Sequence, residues 1–145
     1  MYTPYEQRQS EIPFASAEYL SFASRNSFLG VPAVTPNEMG DGDVVILGAP
    51  FDWGTTFRPG ARFGPRAIRN ADYGAMDGYR PHLPTGLDPF EVLGVVDIGD
   101  VYVRPGDLEL SIDRIADTVE HVARAGKVPV ILGGDHTITW PDALG

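Results

Sequence analysis

Three short runs of consecutive apolar residues mark out the chain. Residues 43–49 (Asp-Val-Val-Ile-Leu-Gly-Ala), 91–98 (Glu-Val-Leu-Gly-Val-Val-Asp-Ile) and 128–132 (Val-Pro-Val-Ile-Leu) show little alternation between apolar and polar positions. Runs of this kind predict strands buried on both faces, as in a parallel sheet flanked by helices. Between the second and third runs the period changes. Ile112, Ile115, Val119, Val122 and Ala123 fall on one face of a helix predicted to start at Ser111 and run to Arg124, with Gly126 as its stop. His121 lies about 200° around the wheel from Val119 and is expected to be solvated. Strand, helix and strand over residues 91–132 make a β–α–β unit, and so a parallel sheet with a right-handed crossover.

The connections are longer and richer in glycine and proline than the elements. Residues 1–37 mix Tyr, Phe and Ser with four prolines and no sustained period, so they are expected to wrap the domain or a neighbouring subunit. Tyr5, Phe14, Tyr19, Phe22 and Phe28 are the candidate anchors. Residues 50–65 form a long loop carrying Trp53, Phe57 and Phe63, which is expected to be folded and functional. A helix is predicted from Pro65 through Arg69. Arg58, Arg62, Arg66 and Arg69 could bind an anion, but the loop lacks the spacing of a phosphate cradle, which favours salt bridges to nearby acids. Asp52 is either a binding carboxylate or an Asx turn closing the loop. His82 reads as an exposed loop residue. Asp97 and Asp100, two acids at a strand end, could bind metal, but Gly99 and Asp100 favour an ordinary turn.

The most informative stretch follows the last apolar run. Gly133-Gly134 stops the strand, which puts Asp135 and His136 at a strand's C-terminal rim, where open α/β sheets hold their ligands. Thr139 is the expected N-cap of a helix with Trp140 and Pro141 in its first turn. The positive end of that helix would favour a neutral imidazole at His136. His136 is therefore a candidate metal ligand with Asp135 as an orienting carboxylate, or both are capping residues of a strand-to-helix turn.

Composition narrows the chemistry. At 145 residues and 43% hydrophobic content the chain suits one globular domain. A formal net charge of -9 disfavours a nucleic-acid partner. There is no cysteine, so any metal must be held by His and carboxylate, a donor set suited to manganese, zinc, nickel or iron. No stretch reads as a signal peptide or a membrane span, and the cytoplasm is the expected setting.

Three motifs, in order, resemble a known family. Residues 48–69, with Arg-Pro-Gly-Ala-Arg-Phe-Gly-Pro at their centre, then Val96-Asp-Ile-Gly-Asp-Val101, then Leu132-Gly-Gly-Asp-His-Thr-Ile-Thr139 are similar to the N-terminal motifs of the ureohydrolases. The loop resembles agmatinase and guanidinobutyrase members more than arginases. The resemblance implies a three-layer α/β/α fold with a parallel sheet and two manganese ions at its C-terminal rim. The implied reaction is attack of an activated water on a guanidinium carbon, releasing urea and an amine. The implied substrate is agmatine or guanidinobutyrate, and the implied assembly a homo-oligomer. His136 matches the family's first ligand His. The family's later Asp-Ala-His-x-Asp and Asp-x-Asp motifs have no counterpart here, and Asp97, Asp100, His82 and His121 do not occupy their positions. Residues 1–40 are thus expected to be an N-terminal extension, and 41–145 the N-terminal part of an agmatinase-like catalytic domain. Alone, the chain would be an inactive fragment or a non-catalytic subunit.

Overall fold

The computed structural model describes residues 27–71 and 82–145. The expectations for Tyr5, Phe14, Tyr19 and Phe22, and for part of the turn-rich stretch after Tyr73, lie outside the described residues.

Three parallel strands form one sheet in the order β2-β1-β3: β1 (Val44–Ala49), β2 (Val95–Asp100) and β3 (Val128–Gly133). The central strand is buried on both sides, as its unbroken apolar run requires. Successive side chains of β1 point to opposite faces. Val45, Leu47 and Ala49 join a core with Ile115, Val119 and Val122 of the long helix. Gly48, on the other face, lies against Pro65 of the helix α1 (Gly64–Arg69). Helices therefore cover both faces, which gives the layered α/β architecture.

Several element boundaries differ from expectation, each for a local reason. The second apolar run does not begin as a strand: Pro89–Val92 is a short helix, α2, with Pro89 in its first turn and the Asp88 carboxylate accepting from Phe90 N–H. The long helix α3 (Leu108–Arg124) starts three residues before Ser111, because Asp107 caps it by accepting from Leu110 N–H. Ser111 is instead buried, its hydroxyl bonded to the carbonyl of Asp107. Ala123 proves exposed, and Ala116 and Thr118 complete the buried face. Beyond β3, Asp135 caps a 3-10 turn (His136–Ile138), and α4 (Thr139–Leu144) follows without a side-chain cap from Thr139.

Burial departs from the pattern at two places. Val128 and Val130 are 59% and 41% exposed, so β3 is not the doubly covered strand its composition suggests. It pairs only with β1 among the described residues. His121 departs in the opposite direction: it is half-buried, its Nε2 3.1 Å from the carbonyl oxygen of Pro36. A segment distant in sequence packs onto the helix face that the wheel assigns to solvent.

Candidate functional site

The C-terminal ends of all three strands converge on one rim, and each carries part of a polar assembly. At β2 the assembly is an ion cluster. Asp97 and Asp100 are three apart, so in a regular strand their side chains would point to opposite faces. The pairing shifts between Ile46↔Asp97 and Gly48↔Asp100, which inserts one extra residue into β2 at a glycine, Gly99, with φ +80°. That bulge resets the alternation and turns both carboxylates toward α1. Arg69 fills the space between them. Its Nε and Nη2 donate to Asp97 at 2.8 and 2.9 Å, its Nη1 to Asp100, and Nη2 also to the Gly99 carbonyl at 3.1 Å. All three side chains are buried, with Arg69 5%, Asp97 2% and Asp100 1% exposed. Burial works against the guanidinium's charge, but hydrogen bonds and the charges of the two carboxylates outweigh it and hold its pKa above the ordinary value. The Asp97–Asp100 stretch is therefore a strand bulge rather than a free turn.

Residues 50–65 form a second polar assembly beside β1. The Asp52 side chain accepts from Gly60 N–H at 2.7 Å and from Arg62 Nε at 2.8 Å, closing the loop across eight to ten residues. The Arg62 side chain, through that hydrogen bond, holds the Asp52 carboxyl below its usual range despite burial. Arg62 also lies over the Trp53 ring at 5.0 Å, and Trp53 packs edge-on against buried Phe51. A shallow hollow of about 230 Å³ is lined by Asp52, Pro59, Gly60, Arg62 and Phe63. Farther out, Phe57 is exposed with Arg58 stacked over it. Of the four arginines, Arg62 and Arg69 are thus salt-bridged to aspartates, as the absence of a phosphate-cradle spacing suggests.

The third part is the turn after β3. Gly134 has no space for a side chain, since a Cβ there would meet the Phe51 and Ala49 carbonyl oxygens at 2.5 and 2.6 Å. Asp135 N–H donates to Phe51 O at 2.8 Å, and its carboxylate accepts from Thr137 N–H and Gly54 N–H, each at 2.8 Å. Asp135 is therefore a capping residue that also reaches the neighbouring loop. His136 is exposed at the rim, and its ring makes no hydrogen bond to a described residue.

The other histidines lie elsewhere. His82 is exposed and bonded to Thr85, as expected, and His121 faces Pro36. Among the described residues no three His, Asp or Glu side chains stand close enough to hold a metal ion.

The rim loop, the bulged Asp-Ile-Gly-Asp strand and the Gly-Gly-Asp-His turn match a known set of proteins. A sequence profile of the arginase family covers residues 42–145. The chain belongs to the arginase family. Within it, the chain is 46% identical over 99 residues to the human mitochondrial guanidino acid hydrolase, a match covering 68% of this chain and 27% of that protein. The crystal structure of a hypothetical agmatinase from Burkholderia thailandensis superposes with a TM-score of 0.72 at 31% identity, over 98% of this chain and 43% of that one. A variant formiminoglutamase from Trypanosoma cruzi, solved with Mn²⁺, superposes with a TM-score of 0.56 at 28% identity, covering 72% and 34%. The chain is thus an agmatinase-like ureohydrolase sequence spanning about a quarter to two fifths of the length of these relatives. The family's α/β fold agrees with the architecture expected from the apolar runs.

Sequence reasoning missed the role of Gly54 and, for Arg69, which acids it would pair with. Nothing in a local pattern pairs Arg69 with acids about thirty positions away. Asp88-Pro89, in contrast, carried a readable signal, an N-cap acid before an N1 proline.

Proposed function

We propose that this chain is part of a metal-dependent hydrolase that cleaves a guanidino compound of the agmatine or guanidinobutyrate type to urea and an amine. The observation that carries the reading is the exposed His136 imidazole at the C-terminal rim of a parallel sheet in an arginase-family chain.

The parallel pairing of β3 with β1 fixes which rim this is, because it sets the direction in which β3 ends. His136 suits one nitrogen position in a manganese site of N/O donors, as one metal ligand. A single imidazole does not hold a metal pair, so the remaining donors would come from outside the described residues. When bound, two manganese ions would supply an activated water at neutral pH. The part played by these residues is to hold the His136 turn against the rim loop and to shape the wall of the hollow beside Arg62. The cytoplasm is the proposed setting, and a homo-oligomer the proposed assembly. No helix among the described residues is long and apolar enough to cross a membrane.

The test places this segment in a complete arginase-family domain and compares it with His136→Ala. Urea release from agmatine and from 4-guanidinobutyrate, together with bound manganese, should fall sharply. Unchanged turnover and unchanged metal content would overturn the assignment. A second reading, a non-catalytic subunit, is favoured by the lack of a three-donor group among the described residues. It requires the 145-residue chain to bind a complete homologue, which analytical ultracentrifugation measures directly.

A further inference from the structure

We propose that Asp135 is a positioning residue that fastens the loop of residues 50–65 to the turn bearing His136, so that loop and histidine move as one body. The inference rests on reading His136 as a ligand.

An N-cap needs one carboxylate oxygen, and Asp135 uses Oδ1 for that purpose on Thr137 N–H. Local capping leaves Oδ2 unexplained. That oxygen accepts from Gly54 N–H at 2.8 Å, across 81 positions of sequence. The backbone of the same residue adds a third tie, since Asp135 N–H donates to Phe51 O. One residue thus bonds the loop through its side chain and its main chain while capping the turn that starts with His136.

Steric fit repeats the connection at three further points. A Cβ on Gly54 would collide with the Thr137 side chain, one on Gly134 with Phe51 O, and one on Gly64 with Gly133 O. At each point the loop or its flank lies too close to the Gly133–Thr137 turn to admit a side chain. On its other side Gly54 follows Asp52, whose carboxylate closes the loop at Gly60 and Arg62. A continuous series of bonds therefore runs from the hollow beside Arg62 through Asp52, Gly54 and Asp135 to His136. A metal ligand must be held to within about 0.5 Å of its working position by packing and supporting hydrogen bonds, which the ties through Asp135 supply.

The test uses the 145-residue chain. Amide exchange and the His136 ring resonances are followed by NMR in Asp135→Asn and Asp135→Ala. An asparagine oxygen can still accept from Thr137 N–H, but its NH₂ cannot accept from Gly54. Asp135→Asn should therefore speed exchange at Gly54 by at least about tenfold, leave Thr137 protected and shift the His136 ring signals. Asp135→Ala should release both amides. Gly54→Ala, which drives a methyl group from the loop side against Thr137, should shift the same His136 signals. Unchanged Gly54 exchange in Asp135→Asn would overturn the proposal. So would His136 signals that ignore both substitutions, or equal acceleration at every amide, which would make Asp135 a residue of general stability. These measurements need neither metal nor turnover, so failure of the clamp is distinguishable from failure of the hydrolase reading.

Discussion

The two edges of the sheet are finished in opposite ways. Along β2 the outer edge is partly paired: Asp97 N–H donates to Pro32 O at 2.9 Å, and Val34 N–H to Asp97 O at 3.0 Å, with Ala33 bridged to Asp97. The charges there are buried but saturated, with Arg69 held between Asp97 and Asp100. Along β3, Val128 and Val130 are exposed. Asp142 lies beyond that edge, on α4, which packs on α3, and it buries Oδ1 without a hydrogen-bond partner among the described residues. Burial pushes its carboxyl up to about 6. The β2 edge and α4 both bury carboxylate oxygen, and the outcome differs because the first offers a guanidinium and peptide donors to offset desolvation while that Asp142 oxygen meets neither.

The comparison breaks first at Arg69. Arg69→Ala leaves two buried carboxylates without their guanidinium and should cost about 3–5 kcal/mol in urea denaturation, enough to remove the cooperative transition of a marginal domain. A loss under about 1 kcal/mol would mean that the cluster relaxes to water and the edges do not differ in kind.

Asp142 provides the second test, with the opposite sign. An acid whose pKa is raised on folding is penalised once the unfolded chain ionises. Stability contributed at low pH is therefore lost as pH rises from about 3.8 to about 6. Asp142→Asn should leave stability near pH 3 unchanged and raise it near pH 7 by about 1–2 kcal/mol, solvent screening at this half-buried site reducing the full effect of the shift. Denaturation curves at the two pH values measure this difference.

Asp52 sharpens the contrast from the saturated side. Its carboxyl is held low by Arg62, so the unfolded chain binds its proton more tightly, and the associated stability is lost as pH falls below the ordinary carboxylate range. Asp52→Asn should cost about 1–3 kcal/mol near neutrality and remove that part of the acid sensitivity, which urea denaturation across a pH series would show. The smallest expected effect is at β3. Val130→Thr should change stability by no more than about 0.5 kcal/mol, whereas it should reduce self-association seen by light scattering.

Much of this was legible in the chain, and what was not has two causes. The apolar run at 43–49 marked β1 to within a residue, and the run at 128–132 marked β3. Gly126, with φ +73°, ends α3 where a glycine stop was expected. The motif around Gly133-Gly134 placed Asp135 and His136 at the rim. Element ends were misplaced where a local cap, such as Asp88 or Asp107, set them, and side-chain roles where they depend on a distant partner: His121 took Pro36, and the supposed turn at Asp97–Asp100 became a bulge around Arg69.

By itself, then, the sequence determined the strands, the long helix, the parallel β–α–β order and the three motifs that place the chain in its family. Those depend on period and on neighbouring residues, and period is local. Tertiary structure alone decided which acids hold Arg69, which edge of the sheet is covered, and that the second oxygen of Asp135 reaches Gly54. Each of these joins positions dozens of residues apart, where chain folding, and no spacing rule, sets the distance.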